Sequence, residues 1–124
     1  MTFSVKYLCL FVALVCLIRQ GRSECTKDDI KIGQKPTGQS FNGVQEWQVT
    51  VTNGCPTCRF MQIELSVYGF QSIEPVDPAQ FDFKGIYGSV NNGQPIDPHA
   101  TFAFTYAWNS PFTFYLQDAT SACW

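Results

Sequence analysis

The chain has 124 residues, with 8 Lys+Arg against 10 Asp+Glu, 15% aromatic residues and a formal net charge of −2. That length suits one domain and is too short for a nucleotide-sugar enzyme domain. The acidic balance, with no clustered Lys or Arg, excludes binding to a phosphate backbone and an electrostatic membrane anchor.

At the amino terminus Lys6 precedes the apolar run YLCLFVALVCLI, Tyr7 to Ile18. Its 12 residues fall short of the about 20 that span a bilayer. Gly21 and Ser23 follow at small-residue positions, which completes the pattern of a secretory signal peptide. The expected organisation is a signal peptide over residues 1–23, cut after Ser23, and a single secreted domain over residues 24–124. Lys6, Arg19 and Arg22 leave with the signal, which takes the 8 basic side chains to 5 against 10 acidic ones, a net charge of −5. No second apolar stretch approaches spanning length, so no membrane insertion is expected after cleavage.

Of the six cysteines, Cys9 and Cys16 lie in the signal, leaving Cys25, Cys55, Cys58 and Cys123. An even set in an oxidising compartment predicts two bridges. The Cys55-Pro56-Thr57-Cys58 motif lacks the strand-to-helix setting of a redox centre, and no second ligand pair completes a zinc site. Chain ends fray unless tied down, which favours Cys25 and Cys123 each bridging to one member of the central pair. Which goes with which stays open; the alternative joins Cys55 to Cys58 and Cys25 to Cys123. Each long bridge would constrain the unfolded chain by roughly 3–5 kcal/mol.

Past Cys25 the chain reads as short alternating stretches. Asp29–Ile32 alternates weakly. Trp47–Thr52 places Trp47, Val49 and Val51 on one face, and Met61–Val67 does the same with Met61, Ile63, Leu65 and Val67. Phe81–Phe83 is a further short candidate in the poorly patterned region 71–90. Thr101–Trp108 sets Phe102, Phe104, Tyr106 and Trp108 on one face, and Phe112–Gln117 sets Phe112, Phe114 and Leu116. A period of two with one apolar face is the strand signature. Pro36, Gly38, Asn42-Gly43, Asn53-Gly54, Pro75, Pro78, Asn92-Gly93 and Pro111 punctuate these runs as turn signals. The expected fold is all-β, an antiparallel β-sandwich stapled by disulfides.

Groups for catalysis are sparse. His99, the one histidine, stands in a Pro-flanked loop, and Asp28-Asp29 precedes a strand as a solvated pair. No nucleophile elbow, phosphate loop or calcium loop is present. The expectation is a protein that is not an enzyme, with no cofactor and no metal. Candidates for binding contacts are Asp97 and His99 in the polar loop Asn91–His99, Trp108 at a loop edge, and Tyr115, which points away from Phe112, Phe114 and Leu116. Terminal Trp124 joins them as an exposed aromatic.

The stretches CTKDDIKIGQKPTG, NGVQEWQVTVTNGCPTC, IELSVYGFQS, VDPAQF, VNNGQPI and FAFTYAWNSPFTF, taken in order, resemble the TAPETUM DETERMINANT-like family of small secreted cysteine-rich plant proteins. The likeness runs from Cys25 to Cys123. It implies an extracellular (apoplastic) ligand for a leucine-rich-repeat receptor kinase (EXCESS MICROSPOROCYTES), with somatic-embryogenesis co-receptors, directing cell fate in the anther. The family pattern implies a further cysteine pair where this chain has Val67 and Gly88, so one bridge is expected to be absent. It also implies, in some relatives, a long segment between signal and domain that this sequence does not show. A cell-wall carbohydrate-binding module, stacking sugars on Trp108, Tyr115 or Trp124, is the alternative reading.

Overall fold

The computed structural model describes residues 25–123. The expected signal peptide and Trp124 lie outside the described residues. Among the described residues seven strands form two antiparallel sheets. The first sheet has the order β1 (Ile30–Phe41), β2 (Val44–Asn53), β6 (Thr101–Ala107). The second has the order β4 (Phe81–Lys84), β5 (Tyr87–Val90), β3 (Cys58–Ser66), β7 (Tyr115–Cys123). Single 3-10 turns cover Lys27–Asp29 and Asn91–Gly93. The architecture is the expected disulfide-stapled β-sandwich. No helix among the described residues is long and apolar enough to cross a membrane.

The β1–β2 hairpin turns on Asn42 and Gly43, both at positive φ (51° and 80°), the geometry whose twist matches the flanking strands. Beyond it β1 runs much further than Asp29–Ile32. Pro36 and Gly38 do not end it but fall at a register break between Pro36 and Ser40. Pro36 is tolerated there because β1 is an edge strand whose N–H groups on one side have no ladder to join.

Alternation in β3 also changes phase. Cys58 and Phe60 are buried, then Ile63, Leu65 and Val67. The shift falls at Gln62, whose φ is 52°, where the register against β7 slips between Met61 and Glu64. This bulge turns Met61, expected on the buried face, half out of the core and brings Phe60 in. The last strand begins at Tyr115 rather than Phe112, because residues 108–114 carry the chain from the first sheet to the second. In that crossing Phe112 N–H donates to Tyr106 Oη at 2.9 Å instead of to a ladder.

The inner faces meet in an aromatic core. Phe70, from the irregular chain after β3, lies 5.3–5.9 Å from the rings of Phe81, Phe83, Tyr106, Phe112 and Phe114. Phe81 stacks on Phe104 across the sandwich at 4.6 Å. The segment around Ser72 and Ile73 covers the outer edge of β6, with Ile73 N–H donating to Ala107 O at 3.0 Å and Ala107 N–H to Ser72 Oγ at 3.0 Å.

Of the two positions where a further cysteine pair is implied, Val67 is wholly buried and Gly88 lies under the Phe81 ring. A Cβ at residue 88 would stand 2.2 Å from Phe81 Cε1. Gly88→Ala must therefore displace a ring packed on several others. The expected cost is about 1–3 kcal/mol in a denaturant titration; a stability equal to that of the native chain would mean the ring moves aside freely.

Candidate functional site

One end of the sandwich is built around the cysteines. Cys25 is bonded to Cys55, and Cys58 to Cys123. The sulfurs of Cys25, Cys55 and Cys58 lie within 4.8 Å of one another, but each is already in a disulfide and offers no thiolate to a metal. Asn53, 1% exposed, organises this end. Its Nδ2 donates to Cys58 O (2.8 Å) and Ile96 O (3.0 Å), and its Oδ1 accepts from Cys55 N–H (2.9 Å). Its backbone N–H donates to Ala100 O (3.0 Å), and its carbonyl accepts from His99 N–H (2.8 Å).

The loop carrying Asp97 and His99 is thus fixed from two sides, since Ile96 also exchanges backbone hydrogen bonds with Phe60 at 2.8 and 3.2 Å. His99 has φ 63° and is exposed. Asp97, its side chain 68% exposed, forms an ion pair with Arg59 Nε at 3.6 Å. The two residues share one rigid polar tip.

Trp108 and Tyr115 stand elsewhere. Strand β6 starts beside this loop and ends beside Trp108, and its 7 residues span roughly 20 Å. Trp108 is half-buried. It stacks on Phe112 at 6.3 Å, and its carbonyl accepts from Trp47 Nε1 at 3.1 Å, so it serves as wall rather than open surface. Tyr115 is exposed on the outer face of the four-stranded sheet. Ser66 on β3 stands between it and Tyr87, paired with Tyr115 on one side and with Tyr87 on the other. Tyr87 escapes sequence reasoning because KGIYGSV, with two glycines and no alternation, carries no strand signal.

A third feature is a cleft of about 340 Å³ lined by Phe70, Ser72, Glu74, Val76, Phe81 and Phe83. Glu74 Oε2 accepts from Thr105 Oγ1 at 2.7 Å, while its Oε1 is buried without a donor. Glu46, held by Thr37 Oγ1 at 2.8 Å, lies beside it. Burial first, and then this neighbouring carboxyl, push the Glu74 pKa above the usual carboxylate range. Sequence reasoning missed the pair, because its members are 28 positions apart with the whole of β3 between them.

Residues 26–123 match the family model described as Tapetum determinant 1, C-terminal. The chain is similar to TPD1 protein homolog 1 of Arabidopsis thaliana, 33% identical over 104 residues, covering 81% of this chain and 56% of that protein. It is also similar to TPD1 protein homolog 1B of Oryza sativa subsp. japonica, 26% identical over 106 residues, 85% of this chain and 62% of that protein. The chain therefore spans little more than half the length of these relatives. No solved structure matches it.

Two outcomes test this geometry. Asn53→Ala strips partners from Cys55 N–H, Cys58 O and Ile96 O, and is expected to cost about 2–4 kcal/mol in a denaturant titration; a loss under about 0.5 kcal/mol would mean water replaces it freely. For Glu74, a folded-state pKa above the unfolded one means the native state holds the proton more tightly. That stabilisation is full below the unfolded value and lost as pH rises through the folded one. Glu74→Gln keeps an acceptor for Thr105 and a donor for Glu46. Native chain should therefore lose stability relative to Glu74→Gln as pH rises above the ordinary carboxylate range; parallel pH profiles would count against the raised pKa.

Proposed function

The chain belongs to the Tapetum determinant 1 family, and on that premise we propose that it is a secreted plant developmental signal with no catalytic role. In this reading the mature chain acts in the apoplast as a ligand for the ectodomain of a leucine-rich-repeat receptor kinase, with a co-receptor kinase completing the complex. The observation that carries the reading is the family match over residues 26–123, nearly the whole described domain. Two disulfides suit an oxidising compartment. A ligand also gains affinity when its contact loop is ordered before binding, and the Asn53-anchored loop meets that condition. Asp97 and His99, exposed at its tip, are the residues assigned to the contact.

Calorimetry of the oxidised secreted chain against the family's receptor ectodomain tests this. Saturable binding, lost on reduction, is expected, with Asp97→Ala and His99→Ala each weakening it by about tenfold, or 1.4 kcal/mol. A folded, oxidised chain that fails to bind would sink the reading. Binding untouched by both substitutions would move the contact off this loop.

A further inference from the structure

We propose that the outer face of the four-stranded sheet binds an extended, neutral β-1,4-linked glycan laid across Tyr87 and Tyr115. Ser66 pairs with Tyr87 on one side and Tyr115 on the other, so the three side chains stand in one row on one face. The neighbours of Ser66 along β3, Leu65 and Val67, are buried, which fixes that face as the outer one. Tyr87 and Tyr115 are 40% and 58% exposed.

Two strand spacings, about 9.5 Å, separate their backbones. That is close to the separation of alternate sugar rings in an extended β-1,4-linked chain. The C–H faces of a pyranose are apolar and slightly positive, and they pack on the negative face of an aromatic ring. Between the tyrosines the small Ser66 leaves space for the intervening sugar.

Hydroxyl groups also need polar partners, and the adjoining row supplies them. Asp82 on β4 pairs with Ser89 on β5, Ser89 with Glu64 on β3, and Glu64 with Asp118 on β7, a row that crosses all four strands. A protein partner would seek an apolar floor for its anchors, whereas this floor is hydroxyl and carboxylate. Lysines do not favour a polyanion here, since Lys84 is engaged by Asp82 at 3.6 Å and Lys27 by Asp118 at 3.2 Å. The occupant that fits is therefore uncharged, polyhydroxylated and straight. This face is separate from the Asp97–His99 tip and does not rest on the receptor reading.

The test is calorimetric titration of the full secreted chain with cellohexaose, beside maltohexaose, whose α-linkages curl the chain. Saturable binding of cellohexaose alone is expected. Tyr87→Ala and Tyr115→Ala should each lower affinity about tenfold, and Tyr87→Phe and Tyr115→Phe should retain it, because the ring and not the hydroxyl is used. Both tyrosines are exposed, so the variants should unfold at the native temperature, which a thermal melt checks. No binding of cellohexaose, equal binding of maltohexaose, or unchanged affinity in both alanine variants would each overturn the proposal. Loss of receptor binding in the alanine variants, with no glycan binding by the native chain, would overturn it in favour of a protein partner.

Discussion

Between Asn53 and Cys58 the chain leaves one sheet and enters the other, and the polar groups buried at Asn53, Cys55 and Cys58 must be paired away from water. Asn53 does most of this, using its backbone N–H, its carbonyl and both ends of its side-chain amide on two separate stretches of chain, 55–58 and 96–100. Each such buried group left unpaired would cost about 1–3 kcal/mol. The cysteines that flank the turn then tie in both ends of the domain, Cys25 before β1 and Cys123 at the end of β7. Hydrogen bonds and covalent bridges thus act on the same few residues: the bridges limit what the unfolded chain can explore, and the amide decides which turn it adopts when folded.

The opposite end is held by different physics. No disulfide reaches it among the described residues. Its order comes from the Phe70-centred rings and from Tyr106, which is buried, donates to Gln34 Oε1 and accepts from Phe112 N–H. Burial raises the Tyr106 pKa, so the phenol stays protonated and able to donate. That single hydroxyl joins β6, β1 and the crossing that leads to β7. Tyr115 inherits its position from this crossing, as Asp97 and His99 inherit theirs from Asn53.

Much of this was legible where a strand has one wet and one dry face. The alternation in Trp47–Thr52 and Thr101–Trp108 fell on β2 and β6, and Tyr115, out of phase with its apolar neighbours, is exposed. The reading failed where local pattern and pairing disagree. One residue of bulge at Gln62 inverts the phase of β3, and no alternation reveals a bulge in advance. Pro36 and Gly38 look like a turn yet sit within an edge strand, because pairing with β2 outweighs their local preference. Tyr87 and the Glu46–Glu74 pair depend on contacts between elements distant in sequence, which period and composition do not encode. Asn53 looked like half of an ordinary Asn-Gly turn; its role follows only from what surrounds it.

The two positions where the resemblance implies a further bridge, Val67 and Gly88, connect these points. A half-cystine at 88 would need the volume that the Phe81 ring occupies. Burying a phenylalanine side chain is worth about 1.5–3 kcal/mol, similar to the roughly 2–4 kcal/mol of a disulfide. The two act on different states, since the ring stabilises the folded chain and a bridge constrains the unfolded one. In this chain the ring fills that space, and β5 carries a glycine facing inward. With no side chain at 88, β5 lies close against Phe81, and the strand's alternation sends Tyr87 outward to share a row with Ser66 and Tyr115. The chemistry of the outer face is therefore coupled to how the inner face was filled.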